Sequence, residues 1–416
     1  MSDPAGKYRK IWVALPLMDE LENLTLIHDC LLGQKCVDFR LVVCVNQPEA
    51  WWQDVSKKGV CERNQETIGS LKALFGDEMI LLDRSSPGKG WLHRSQGVGR
   101  ARKVIMDSIR DLAREEDVII SLDGDTQYGP EYFSSILANL NRFPGAMGIS
   151  VPYYHRVTGN GLIDRAMLRY EIYMRNYALN LWNIRCPYSF TALGSAIALP
   201  VRAYQKIGGM SPRKSGEDFY FLQKMRKAGD LIVWNPERVF PGTRFSDRVF
   251  FGTGPALIKG SRGDWSSYPV YHHLLFQNIR ATYDLFPELF GGCRTTPMDD
   301  FFRDVFGTAD IWQALLRNSR ESRRFVRACH EKVDALRILQ YLKTEQKKLN
   351  IPGEQCLREN LTHLFPGGIR DALLEEDLNR LNFKTTSIEI LNRIRDFMME
   401  QEWNIQQKSV YTPAHE

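Results

Sequence analysis

Apolar and polar positions alternate along the first third of the chain in two distinct rhythms. KIWVALPL (10–17), FRLVVCVNQ (39–47), MILLDRS (79–85) and DVIISLDGD (117–125) are apolar nearly throughout, which predicts strands buried on both faces. Between them, LENLTLIHDCLLGQ (21–34), NQETIGSLKALF (64–75) and GRARKVIMDSIRDLARE (99–115) repeat their apolar residues at helical spacing. Buried strands separated by helices predict a parallel sheet covered on both sides, with any ligand beyond the carboxyl ends of the strands. From about residue 145 the pattern is mixed. GAMGISVPYY and GSAIALP read as strands, and DRAMLRYEIYMRNYALNLW reads as a long helix. From about residue 268 the chain turns helical and charged. The runs 317–349 and 387–403 are amphipathic, and IPGE and FPGG punctuate the region.

The length, 416 residues, exceeds one comfortable core and predicts two domains: residues 1–265 with the sheet, and a helical extension over 266–416. The extension reads as a helical appendage, with a cap or dimerisation element as the alternative. The net charge of +5 calls for no nucleic-acid partner, although basic patches leave room for a peripheral membrane contact. The N-terminus has no apolar core of the kind a signal peptide needs, and no apolar run reaches the length of a spanning helix. The eight cysteines contain no C-x-x-C pair; they read as reduced thiols of a cytoplasmic protein, not as a disulfide frame or a zinc site.

The chemistry concentrates in LDGD. Asp123 and Asp125 stand one residue apart at a strand end, and two carboxylates so close repel unless a cation shares them. Hard divalent ions, Mn²⁺ or Mg²⁺, take such oxygen ligands and bridge to phosphates. Gly124 between them suits a tight bend. The bland alternative is a surface D-G turn. Another enzyme class, the haloacid-dehalogenase-like phosphatases, also places two aspartates after a strand, with the first as nucleophile. Here the threonine, Thr126, comes one place early and the motif comes late in the strand order, so that reading of Asp123 ranks below the metal reading.

Four features in order resemble the family 2-like glycosyltransferases of the GT-A fold. VALPLMDE resembles their opening strand, with Pro16 and Glu20 in place. GVGRARKVIMDSI resembles the helix before the D-x-D strand, LDGD matches the D-x-D itself, and IGGMSPRKSGEDFYFLQKMRKAG resembles their G-G segment followed by an acid pair and a helix. The resemblance covers roughly residues 8 to 230. It implies a metal-dependent, inverting transfer from a nucleotide-sugar to a hydroxyl acceptor that the sequence does not identify. Asp125 would hold the metal with Asp123, which would also contact the donor's ribose or sugar. Asp218 would be the general base, with Glu217 beside it. The turn after Pro16 would receive the base, and Lys89, Arg94 and Arg100 of the loop 85–100 would lie near the phosphates. Arg244 and Arg248 would act from a lid over 243–255 hinged at Gly252 and Gly254. Where family members often carry an aspartate to hold uracil, this chain has Asn46, whose amide still offers one donor and one acceptor and tilts the reading to UDP-sugars. The Q-x-x-R-W motif of processive members is absent, which implies a single transfer. Some GT-A enzymes use a late histidine as a further metal ligand; His272 and His273 stand in that part of the chain, although a core or surface role fits a helix face better. A catalytically inactive sugar-nucleotide-binding protein is the third reading.

Overall fold

A computed structural model describes residues 7–35, 38–92, 97–213, 216–243, 253–292, 294–308, 311–366 and 372–413. Backbone packing divides the chain into two units: residues 1–159 with 191–258, and residues 160–190 with 259–416. The helix DRAMLRYEIYMRNYALNLW therefore falls in the same unit as the C-terminal helices.

The first unit holds nine strands among the described residues: β1 (Ile11–Leu17), β2 (Phe39–Asn46), β3 (Met79–Arg84), β4 (Val118–Ser121), β5 (Gln127–Tyr128), β6 (Gly148–Ser150), β7 (Ile197–Pro200), β8 (Leu231–Ile232) and β9 (Val239–Phe240). Seven form one sheet in the order β3-β2-β1-β4-β7-β6-β8. β1 pairs in parallel with β2 and β4, and β2 with β3. β7 runs antiparallel to both β4 and β6, so the sheet is mostly parallel with one reversed strand. Every residue of β1 and β4 is buried, as the unbroken apolar runs predict for strands covered on both faces. Pro16 sits inside β1, opposite Cys44 of β2, where β4 no longer runs alongside; its missing N–H removes no ladder bond to β4. β5 and β9 form a separate antiparallel pair that sequence periodicity did not reveal.

The second unit is helical. Gly161–Asn183 is capped by the Asn160 side chain, which accepts from the amides of Leu162 and Ile163. It packs along Ile388–Ser409. The amphipathic run 317–349 is two helices, Ser322–Lys332 and Ala335–Leu349. Val333 leaves the helical region at φ −92° and ψ 58°, and the Asp334 carboxylate caps the second helix by accepting from the Arg337 amide. Apolar residues at helical spacing lie on both sides of the break, so their presence alone does not mark it.

Between Gly161–Asn183 and Ile388–Ser409 lies a buried ionic chain. Arg175 meets Glu171 at 2.5 Å and Glu402 at 2.7 Å, and Arg395 meets the second oxygen of Glu171 at 3.0 Å. All four side chains are at most 3% exposed. Removing one member leaves an uncompensated buried charge. Arg395→Leu is expected to destabilise the second unit by ~3–5 kcal/mol, read as a lowered urea midpoint for the loss of helical circular dichroism; an unshifted midpoint refutes the account.

Candidate active site

The site is built where three segments of the first unit meet. β4 delivers Ser121 at its last position, and the chain runs on through Asp123 and Asp125, both half-buried. The helix Val98–Leu112 presents Arg102 from its buried face. The helix Glu217–Ala228 begins with the acid pair Glu217 and Asp218 after Gly216, whose φ of 68° is the left-handed conformation that favours glycine. The positive end of that helix favours ionised carboxylates.

Arg102 joins all three segments. Its guanidinium is 3% exposed; Nε donates to Ser121 Oγ at 3.1 Å, Nη2 pairs with Asp123 and Nη1 pairs with Glu217. Burial works against its charge, but the carboxylates of Asp123, Glu217 and Asp218 outweigh it and hold Arg102 above its ordinary value. The crowding requires glycine at two places. A Cβ on Gly194 would collide with the Arg102 guanidinium, and one on Gly99 would lie 2.6 Å from the Arg213 carbonyl and 2.9 Å from Glu217 Cβ. Arg102 was not singled out as a site residue in the sequence, although it stands in the quoted GRAR segment; Gly194 carried no signal at all.

Asp218 accepts from the Phe219 amide at 2.8 Å. Burial, then the charge of Glu217, push its carboxyl up to about 7; Arg102 and the Phe219 amide oppose the rise. A carboxyl in this range gains and loses its proton near neutrality.

Gly124 stands in the expected tight turn, which the Thr126 amide closes by donating to the Asp123 carbonyl at 3.2 Å, but glycine is needed there for a second reason. Its φ is not positive; a Cβ there would come within 2.8 Å of Leu17 and 2.9 Å of Glu20, so glycine serves close packing against the end of β1. Glu20 is buried at that contact and takes the Asn23 amide at 2.5 Å. Gly242 does the same for the other acid, with its Cβ position 2.8 Å from Asp125 Cβ just past β9. The β5–β9 pair thus holds the chain against Asp125.

Asn46 ends β2 almost fully buried. Its amide donates to the Leu17 carbonyl at 2.9 Å and accepts from the Trp91 indole at 3.2 Å. The Trp91 ring stacks under Arg100 at 4.8 Å and Arg84 at 5.5 Å. The loop from Ser85 is a closed structure: the amides of Gly88 and Gly90 donate to Glu49 at 2.8 and 2.7 Å, and Lys89 pairs with Asp83 at 3.0 Å. Those backbone donors are thus committed to Glu49. Asp83 itself, capped by Ser85 and Ser86, is held below the usual carboxylate range; burial opposes that shift, and the hydrogen bonds from Ser86, Ser85 and Lys89 outweigh it. Arg94, Arg244, Arg248 and Gly252 lie outside the described residues.

His272 and His273 belong to the second unit. His272 caps the helix His273–Asp284 through a contact from the Leu274 amide, and its Nε2 meets Glu359 at 2.5 Å. Burial and the two neighbouring imidazoles push His273 down to about 4. Six cysteines are unpaired among the described residues. No helix among those residues is long and apolar enough to cross a membrane.

Residues 118–257 match the family described as Glycosyl transferase family group 2. A search of curated proteins finds no match. Among solved structures, the chain is similar to Staphylococcus aureus TarS 1-349 in complex with UDP-GlcNAc, at 11% identity and a TM-score of 0.39, over 94% of this chain and 92% of that one. It is similar to the glucosyl-3-phosphoglycerate synthase of Mycobacterium tuberculosis in complex with phosphoglyceric acid, at 13% identity and 0.35, over 65% and 80%. It is also similar to the mannosyltransferase PcManGT of Pyrobaculum calidifontis in complex with GDP-Man and Mn²⁺, at 12% identity and 0.32, over 87% and 86%.

The raised carboxyl of Asp218 carries a stability signature. Its folded value, about 7, lies above the unfolded 3.8, so the fold favours the protonated acid: that stabilisation is whole below about pH 4 and is lost as pH rises through 7. Asp218→Asn, which cannot ionise, is expected to melt higher than the parent at pH 8, with the difference shrinking toward pH 4. Equal melting temperatures at both pH values refute the raised carboxyl.

Proposed function

We propose that this chain, a family 2-like glycosyltransferase with the GT-A fold, moves a sugar from a nucleotide-diphosphate donor, a UDP-sugar by preference, to an acceptor hydroxyl with inversion at the anomeric carbon. The observation that carries the reading is the Arg102 bridge, which fixes the D-x-D strand end and the acid-pair helix into one cluster. An inverting transfer needs those two elements together: a place for the diphosphate and, facing the sugar, a base for the incoming hydroxyl.

Asp218 takes the proton of the acceptor hydroxyl as its oxygen attacks the sugar. A base whose carboxyl titrates near 7 is matched to that task better than an ordinary aspartate, which holds a proton too weakly. Glu217, paired with Arg102, keeps Asp218 in place and adds the negative charge that lifts it. Asp125 and Asp123 offer hard oxygen donors that fit Mn²⁺ or Mg²⁺. Such an ion, when bound, neutralises charge on the departing diphosphate. Asp123 is paired with Arg102, and Asp125, the second acid of the D-x-D, is taken as the principal ligand. The same pairing argues against the phosphatase reading, since a nucleophilic Asp123 would be tied to a buried guanidinium. Asn46, held by Leu17 and Trp91, keeps one amide N–H and one lone pair for a pyrimidine edge. The turn that follows Pro16 and leads to Glu20 lies next to it, with Lys89 and Arg100 as cations for the donor. We place the whole donor site in the sheet-containing domain, 1–265, and the 266–416 region outside it. The unpaired cysteines suit a reducing compartment such as the cytoplasm.

Titration calorimetry with UDP tests the ion's part. Asp125→Ala is expected to abolish most Mn²⁺-dependent binding, and equal UDP affinity with and without Mn²⁺ in the parent rules that part out. A screen of UDP-, GDP- and dTDP-sugars for slow hydrolysis identifies a usable donor; binding without any turnover would favour an inactive binder, and phosphate release from monoesters a phosphatase. With a turned-over donor, the rate is expected to rise with pH through about 7, as Asp218 loses its proton. Asp218→Asn should lower the rate by ~10² or more with UDP affinity kept. An unchanged rate removes Asp218 from the mechanism, and a product of retained anomeric configuration removes inversion.

A further inference from the structure

The second unit contains a cluster that the proposed transfer does not use. The backbone of His272 and His273 opens the helix His273–Asp284, and both imidazoles face the helix Gly353–Leu364. There Glu359 and His363 stand four residues apart, on one helix face. Ligand atoms of His272, His273 and Glu359 all lie within 4.8 Å of one another, and among the described residues no other group of three such side chains does so. His272 is 2% exposed. Nδ1 of His273 is buried and has no hydrogen-bond partner among the described residues, a cost that a lone pair seldom bears without a ligand.

The surroundings orient these groups. Gln355 donates to the outer oxygen of Glu359 at 2.8 Å, and Asn360 takes the His273 amide at 2.6 Å. The His363 ring stacks on His273 with centroids 4.5 Å apart. Such second partners are what hold metal ligands in place. The Glu359 side chain is 42% exposed, which leaves an open path from solvent.

We propose that His272, His273 and Glu359 form a binding site for a borderline divalent transition ion of the Zn²⁺ class, which clips the start of the helix His273–Asp284 to the helix Gly353–Leu364. Two imidazole nitrogens and one carboxylate oxygen suit such an ion better than the hard Mg²⁺ or Mn²⁺. The ion takes the place of the proton between His272 Nε2 and Glu359. That proton moves to His272 Nδ1, which keeps the imidazole neutral and ends the long 3.3 Å contact from the Leu274 amide. Three protein ligands leave a fourth position for water.

The test uses the full chain, stripped of metal by chelation and carrying Asp125→Ala so that the first-unit acids do not compete. Titration calorimetry with Zn²⁺ is expected to show one site, and Co²⁺ in its place should give the visible absorption of a tetrahedral centre. His273→Ala and Glu359→Gln should each weaken Zn²⁺ by at least ~10-fold, the smaller end of what even a supporting group contributes, and Zn²⁺ should raise the melting temperature only where the three ligands are intact. Glu359 is partly exposed, so its glutamine variant keeps the test valid if the alanine variant fails to fold. Zn²⁺ affinity unchanged in Glu359→Gln, or no Zn²⁺ bound by the metal-free chain, overturns the site.

Discussion

One buried guanidinium decides the electrostatics of the first unit. Asp123, Glu217 and Asp218 gather within reach of Arg102, and without a cation such a group of acids would repel and take up protons. Arg102 is itself desolvated, which costs several kcal/mol unless its partners are well placed. Each therefore licenses the other, and the geometry follows: the start of the helix Glu217–Ala228 is drawn to the end of β4, and glycines stand at positions 99 and 194 because no side chain would fit. Burial first, and then the charge of Glu217, push the Asp218 carboxyl up to about 7. Burial together with a neighbouring negative charge is how an aspartate becomes a base of useful strength.

The second unit uses buried arginines differently. Arg175 sits between Glu171 and Glu402, and Glu171 in turn between Arg175 and Arg395, across two long helices. Ion pairs of this kind add little net stability over apolar packing, but they penalise misalignment, since a one-turn slip would strand a charge. Here they fix which residues of the two helices face each other.

The fold class was legible because the sheet obeys a simple rule: strands covered on both faces are apolar without interruption, and β1, β2 and β4 all read that way. The acid pair at the end of β4 was legible because it marks the point where an apolar run ends, and the pair at 217–218 because it follows the G-G segment and the polar stretch SPRKSG and opens a helix, as in the family the chain resembles. What stayed hidden depends on contacts between distant segments. Arg102 is one of many basic residues on an amphipathic helix, and only the fold turns it inward. Gly124 reads as a bend and is one, but the sequence gives no sign that it also makes room for Glu20 and Leu17. The break at Val333 is hard to read because apolar residues at helical spacing lie on both sides of it, with only Asp334 between. The loop after Ser85 looked open and glycine-rich, yet its amides are spoken for by Glu49, 39 and 41 positions earlier. The histidines at 272 and 273 gave a local hint, but Glu359 is remote in sequence and no periodicity connects it to them.

The division of the chain has a consequence during synthesis. The helix Gly161–Asn183 emerges early, while its partner Ile388–Ser409 follows more than 200 residues later; the Glu171–Arg395 pair spans 224 positions. At ordinary elongation rates that gap lasts on the order of tens of seconds. Throughout it, the nascent chain presents the helix Gly161–Asn183 with its Glu171–Arg175 pair but without Arg395 and Glu402, the partners that complete the ionic chain. The second unit thus closes only after residue 409 has been made, and a holdase that recognises apolar helices would find its substrate in the interval between the two.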